Sequence, residues 1–242
     1  MPNAVTPYKG LKEEKKTQVT HMFDTIAPTY DKLNRLLSFR LDQRWRKAVV
    51  KLMAKDAPQH ILDVATGTGD LALALLAANP KKVVGVDLSE KMLDVCAQKL
   101  VRNKAAEQVT LQQADVEKLP FANNSFDGIT CAFGVRNFEN LHTGLQEMAR
   151  VLKPLKQVLI LEFSRPSNFF VRQIYYLYFF NVLPFIGKWI SKDKRAYVYL
   201  PESARAFPSG KAFARKLKQA GFNHITLHPL GFGICTIYQA KK

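Results

Sequence analysis

The run Ile61 to Asp70, ILDVATGTGD, limits what this chain can fold into more than any other stretch. Ile61, Leu62, Val64 and Ala65 suit a buried strand, Thr66-Gly67-Thr68-Gly69 follows, and an alanine- and leucine-rich helix comes next. A strand that enters a glycine turn at a helix N-terminus is the first unit of a Rossmann-like α/β fold. Glycine at 67 and 69 lets the backbone turn sharply and lets a ligand approach with no Cβ in the way. Lys82 to Asp87 (KVVGVD) reads as a second buried strand ending in an acid. Asp87 lies 20 residues after Gly67, the spacing at which an acid meets ribose hydroxyls.

The turn departs from the dinucleotide pattern. It reads GTGDLA, with Ala72 where the third glycine would stand, and Asp63 sits just before it. A carboxylate there repels a pyrophosphate and suits a ligand with a cationic amino acid end. With the turn, Asp63 and Asp87 taken together, DVATGTGD resembles the first motif of class I methyltransferases. That resemblance implies S-adenosylmethionine as cofactor, held around Asp63, Gly67, Gly69 and Asp87. The competing reading is an α/β protein whose turn holds no ligand.

Apolar runs and helical periods alternate through the middle of the chain. Leu71 to Ala78 reads as a helix, and Ser89-Glu90 caps another running to about Asn103. Val109 to Ala114 is a third strand, closing on Asp115-Val116. Phe126 to Phe133 is a fourth, followed by Gly134-Val135-Arg136-Asn137. A helix over 141–152 precedes a fifth strand, Gln157 to Phe163. A helix over 211–220 and strands over 225–230 and 234–240, joined by a Gly-Phe-Gly turn, close the chain. The expected fold is α/β: a mostly parallel seven-stranded sheet with an antiparallel last strand and helices on both faces. Gly67, Asp87, Asp115 and Arg136 then fall at strand carboxyl ends, where ligands sit.

At 242 residues the chain fits one such domain. Its parts are a helical N-terminal segment (1–57), a cofactor-binding core (58–165), an insertion (166–208) and a closing helix and strands (209–242). Residues 1–18 read as a mobile tail. Residues 18–55 read as helical with a break near Ala27-Pro28, and Pro28 suits the start of the second helix.

Net charge is +16 and unevenly spread. Residues 1–60 hold 12 basic and 6 acidic side chains, residues 61–150 hold 9 and 11, and residues 151–242 hold 15 and 3. The core is nearly neutral and its flanks carry the excess, which points to an anionic surface, nucleic acid or an inner membrane leaflet. Phe169 to Ile190 is densely aromatic and ends in Lys188, Lys192, Lys194 and Arg195. Arg172, Asn181 and Pro184 interrupt it, so it does not span a bilayer. Two readings stand: an interfacial segment, or a helix pair buried in a substrate lid. Cys96, Cys131 and Cys235 form no CxxC pair, so a reducing cytoplasm fits better than a disulfide framework or a zinc site. The first residues lack the order of a signal peptide. The expected location is the cytoplasm, peripherally on the inner face of the cell membrane.

Four strings narrow the resemblance: FDTIAPTYDKLNRLLSFRLDQRWR, LPFANNSFDGITCAFGVRNF, LEFSRPSN and ESARAFPSG. From about His21 to Tyr238 the chain resembles the ubiquinone/menaquinone biosynthesis C-methyltransferases. The resemblance implies methylation of a ring carbon of a prenylated naphthoquinol, demethylmenaquinol to menaquinol, as the last step towards menaquinone. A polyprenyl methoxy-benzoquinol is the alternative substrate within the family. The resemblance carries cofactor contacts to Thr68, Asp87, Asp115 and Val116. Ala132 stands where some members have a serine, and that contact is not carried over. Lys153-Pro154-Leu155-Lys156 replaces a lysine-proline-glycine-glycine turn, a change of turn geometry away from the site.

The chemistry follows from the substrate. A quinol ring carbon becomes nucleophilic when a ring hydroxyl, with a pKa of about 10, loses its proton. The site must lower that pKa or supply a base. Arg136 suits stabilisation of the phenolate, and Tyr30 and Asp31 suit a relay or base. The plainer readings are a salt-bridged loop residue for Arg136, a packed aromatic for Tyr30 and a surface side chain for His142. No metal-ligand spacing appears, and a neutral thioether leaving group requires none. A basic nucleic acid methyltransferase would share the fold. Against it, Cys131 lies within a strand rather than after a proline, and no Asn-Pro-Pro-aromatic string ends the fourth strand.

Overall fold

The computed structural model describes residues 5–183, 185, 193 and 195–242. Its strands are β1 (His60–Val64), β2 (Lys82–Asp87), β3 (Val109–Gln113), β4 (Phe126–Ala132), β5 (Leu152–Phe163), β6 (Asn223–Leu230) and β7 (Cys235–Lys241). They form one sheet in the order β3-β2-β1-β4-β5-β7-β6. The first five run parallel, and β7 is antiparallel to both β5 and β6. The strand order reverses at β1, flanked by β2 and β4, so the glycine turn leaves β1 at the crevice where doubly wound sheets bind ligands.

Successive strand residues point to opposite faces, and both faces are apolar, as a sheet covered on two sides requires. Leu62, Ile129, Val158 and Ile160 pack against Leu145 and Met148 of α6 (Leu141–Val151) and Phe213 and Leu217 of α9 (Lys211–Gln219). Their neighbours Ile61, Val83, Leu159 and Leu161 face the other way. They meet Val49 and Met53 of α3 (Leu41–Met53), Leu71 and Leu75 of α4 (Asp70–Leu75) and Cys96 and Leu100 of α5 (Glu90–Arg102). A third cluster roofs the sheet. It joins Met22 and Ile26 of α1 (Lys15–Ile26), Leu33 and Leu37 of α2 (Tyr30–Leu37), Tyr175 of α7 (Phe169–Leu177) and Tyr197 and Tyr199 of α8 (Ala196–Ala206).

The structure differs from the sequence reading in four places. The N-terminal tail is anchored from Tyr8 onward: its N–H donates to Gln18 Oε1 at 3.0 Å, its hydroxyl donates to Asp193, and Lys9 pairs with Glu202 at 2.8 Å. Pro28 lies in the turn before α2, and Thr29 is the N-cap. A second break follows at Phe39 and Arg40, both with positive φ, and separates α2 from α3. Finally, β5 begins at Leu152, because Leu155 and Lys156 exchange backbone hydrogen bonds with Lys242 at 3.1 Å. Proline and lysine at exposed or half-exposed positions hide that extension from a pattern search. Pro184, Lys188, Ile190, Lys192 and Lys194 of the aromatic and basic segment lie outside the described residues. Among the described residues no helix is long and apolar enough to cross a membrane.

Candidate active site

The glycine turn is built by necessity as well as by flexibility. Gly67 and Gly69 have φ of +56° and +80°, and a methyl group on Gly69 would come within 2.1 Å of Cys96 Sγ. Gly67 N–H donates to Asp87 Oδ2 at 2.8 Å and Ser89 N–H to Asp87 Oδ1 at 2.9 Å, which fixes the acid across the turn. Burial raises the Asp87 carboxyl above its ordinary range, against these bonds. Asp63 lies beneath, 1% exposed, accepting from Thr66 Oγ1 at 2.7 Å and Thr130 Oγ1 at 2.6 Å. Burial pushes its carboxyl up to about 6.

Gly67, Asp87, Asp115 and Val116 line a cavity walled by Val64, Val86 and Ala114. Helix α1 closes its outer side and is fastened at both ends. Lys16 Nζ pairs with Asp115 Oδ2 at 2.8 Å, and Lys15 Nζ donates to the carbonyls of Arg136 and Phe138 at 3.0 and 2.8 Å. At the far end, Ser89 Oγ donates to Asp24 Oδ1 at 2.6 Å.

A second, larger cavity of about 440 Å³ lies between α1, α2, the start of α3, α7 and α8. Phe23, Tyr30 and Phe133 line both cavities, so the two meet at a shared aromatic wall. The larger one is mostly apolar, with Trp45, Phe163 and Phe179 inside and Phe39, Ile174 and Phe232 towards solvent. Arg136 enters it from the loop after β4. Its Nη1 donates to Phe133 O at 2.6 Å and to both oxygens of Glu162 at 2.9 and 3.2 Å, and its Nε is buried without a partner among the described residues. Burial opposes the Arg136 charge, but Glu162, Tyr30 and Tyr199 together outweigh it and hold the guanidinium above its ordinary range. Burial likewise raises Glu162, and Arg136 opposes that. Burial raises the Tyr30 phenol, while Arg136 and Arg46 pull it down.

Of the residues chosen from sequence, Tyr30, Arg136, Gly67, Asp87, Asp115 and Val116 line the two cavities. The other four lie behind those walls. Thr68 Oγ1 donates to Asp31 Oδ1 at 2.6 Å, and Lys99 Nζ bridges Asp31 and Asp70 at 2.5 Å each. Asp31 and Thr68 thus tie α2 to the glycine turn, while Asp63 and Gly69 underpin that turn. His142 is exposed on α6. Sequence reasoning missed Lys16, Glu162 and the pair Asp42–Arg46, in which Arg46 Nη1 meets Asp42 Oδ2 at 2.5 Å. An acid and an arginine four residues apart on a helix usually mark a solvated face. Here they are 4% and 9% exposed and line the larger cavity.

A glycine turn after β1, an acid ending β2, ligand cavities at the switch point and an antiparallel last strand define a Rossmann-like methyltransferase of class I. A solved S-adenosylmethionine-dependent methyltransferase from Aquifex aeolicus shares that fold at a TM-score of 0.56 and 20% identity, over 75% of this chain and 81% of that one. The model of the ubiE/COQ5 methyltransferase family matches residues 9–242, and the chain belongs to that family. It is 43% identical to demethylmenaquinone methyltransferase of Bacteroides fragilis over 98% of this chain and 97% of that one. It is 46% identical to the ubiquinone/menaquinone biosynthesis C-methyltransferase UbiE of Geotalea daltonii over 95% and 98%.

Proposed function

We propose that this chain transfers the methyl group of S-adenosylmethionine to a ring carbon of demethylmenaquinol, giving menaquinol. The observation that carries the reading is the meeting of an acid-lined cavity with a large apolar one at Phe23, Tyr30 and Phe133. The nearly full-length likeness to a demethylmenaquinone methyltransferase supports the naphthoquinol over the benzoquinol. A nucleic acid would call for an open basic groove, whereas the second cavity is roofed and apolar.

The smaller cavity fits the cofactor. Asp87 keeps acceptor capacity beyond its two backbone donors for ribose hydroxyls. Asp115 and Val116 complete the wall, and Gly67 leaves open space where a Cβ would stand. Asp63, Gly69, Thr68 and Asp31 act from behind by setting the shape and charge of the turn. When bound, S-adenosylmethionine supplies an electrophilic methyl group. Tyr30 and Arg136 work on the quinol side: the unpartnered Nε–H of Arg136 donates to the ring oxygen as it becomes negative, and Tyr30 orients the ring at the shared wall. The prenyl tail follows the apolar cavity towards Phe39, Ile174 and Phe232. The enzyme works in the cytoplasm, docked on the anionic inner face of the membrane that holds its substrate.

Calorimetry on the purified protein tests the cofactor half. Asp87→Ala is expected to weaken S-adenosylmethionine binding about 10- to 150-fold, since hydrogen bonds to a charged group contribute roughly 1.5–3 kcal/mol. Unchanged affinity would remove Asp87 from the site.

A further inference from the structure

Among the described residues the wall of the large cavity carries two cations, Arg46 and Arg136, and a single carboxylate, Asp42. Each cation is already matched. Arg136 pairs with Glu162, which is 0% exposed and set behind the wall, and Arg46 pairs with Asp42. A quinolate formed in this cavity would therefore meet no unbalanced protein charge, and a bare charge in an apolar site is costly. The imbalance disappears if the quinol proton moves onto Asp42. The carboxylate becomes neutral, and Arg46 is freed to face the new oxyanion in the same cavity.

We infer that Asp42 is the general base of the reaction, held by Ser38 and Arg46; the inference rests on the quinol methyltransferase reading above. Ser38 Oγ donates to Asp42 Oδ1 at 2.7 Å and Arg46 Nη1 to Oδ2 at 2.5 Å, so the carboxylate is fixed in place yet opens on the cavity. Each oxygen keeps a further lone pair for a quinol hydroxyl. The Arg46 guanidinium carbon lies 5.8 Å from the centre of the Phe133 ring, which lines both cavities, so the Asp42–Arg46 pair stands on the side that meets the cofactor site. Asp31 is shut away from both cavities by Thr68 and Lys99. Among the described residues the other titratable groups lining the cavity are phenols: Tyr30 on α2, Tyr175 on α7, Tyr178 just after it, and Tyr197 and Tyr199 on α8. Burial raises all five, so they stay protonated and do not compete as bases.

The step balances. The quinol O–H proton passes to Asp42, and the electron pair of the O–H bond activates the adjacent ring carbon. That carbon forms the new C–C bond as the sulfonium C–S bond breaks, leaving a neutral thioether. The methylated carbon then gives its own proton to water, and Asp42 returns the first proton to the ring oxygen, which restores the aromatic quinol. One proton is released overall.

The test is the pH dependence of turnover on reduced demethylnaphthoquinol. Asp42→Asn keeps the shape and removes the base, and kcat is expected to fall on the order of 10²–10⁴-fold. KM and S-adenosylmethionine binding are expected to change little, while the melting temperature is expected to fall because Arg46 loses its buried ionic partner. The surviving rate is expected to climb roughly tenfold per pH unit towards the phenol range near about 10, a rise that the wild type does not show. Ser38→Ala, a milder change, removes a hydrogen bond to the charged carboxylate and is expected to move the acid limb of the wild-type profile to higher pH. A wild-type rate and profile in Asp42→Asn, or a lowered rate with no change of slope, overturns the inference. So does an unmoved acid limb in Ser38→Ala if the asparagine variant does not fold. An inactive wild type would instead overturn the proposed substrate.

Discussion

Arg136 and Glu162 form a buried pair whose two members do different work. Glu162 is 0% exposed and holds Nη1, while Nε has no hydrogen-bond partner among the described residues. Arg136→Ala is expected to lower kcat on the order of 10²–10³-fold, as for removal of one oxyanion donor. It also leaves Glu162 buried and unpaired, at a stability loss of roughly 3–5 kcal/mol. Adding Glu162→Gln is expected to restore the melting temperature and leave turnover low. Recovery of both together would make the arginine a structural residue only. Asp63 gives a pH signature of its own. Its folded carboxyl stands near 6 against an ordinary value of 3.8, so the folded state holds the proton more tightly than the unfolded chain. The stabilisation is complete below pH 3.8 and lost as pH rises to about 6, by no more than about 3 kcal/mol. Asp63→Asn is expected to gain stability relative to wild type across that window, measured by denaturant unfolding at each pH. A difference that stays constant with pH would contradict it.

At the scale of elements, the described part of the aromatic run carries features of both readings drawn from sequence. Helix α7 faces both ways: Tyr175 and, just beyond its end, Phe179 are buried over the cavity, while Phe170, Ile174 and Leu177 are 76%, 70% and 64% exposed. Two turns add aromatic tips beside it. Phe39 and Phe232 are 73% and 85% exposed, both line the cavity mouth, and both have positive φ, an uncommon conformation for a bulky residue. Neither turn lies in the segment singled out from sequence, because a lone phenylalanine in a polar turn carries no periodic signal. If these tips dock on the membrane, each adds roughly 1.5–3 kcal/mol at full burial. Phe39→Ser with Phe232→Ser is expected to lose most binding to vesicles containing anionic lipid, and wild-type binding is expected to weaken as salt rises. Binding by the double variant equal to wild type, or none by the wild type, would count against docking. The serine pair also leaves the buried face of α7 intact, so folding serves as the control.

For the molecule as a whole, legibility followed periodicity. The first strands could be read because β1 is an apolar run entering a glycine turn and β2 one ending in an acid, and β2 matches its expected bounds at Lys82 and Asp87. Seven strands, parallel but for the antiparallel β7, stand where the alternation put them. What stayed hidden is what needs three dimensions. Asp31 and Tyr30 are adjacent in sequence, yet one turns to Thr68 and Lys99 while the other lines both cavities. The four-residue spacing of Asp42 and Arg46 carries no sign that the roof covers them. Methyl transfer to a reduced naphthoquinol is the central claim for the assembled site. The most direct measurement is to supply trideuteromethyl S-adenosylmethionine with demethylmenaquinol and follow the quinone by mass spectrometry. The predicted result is one trideuteromethyl group on a ring carbon, formed from the reduced substrate and absent when the quinone is kept oxidised. No labelled product from the quinol, or equal labelling of the oxidised quinone, would contradict the account.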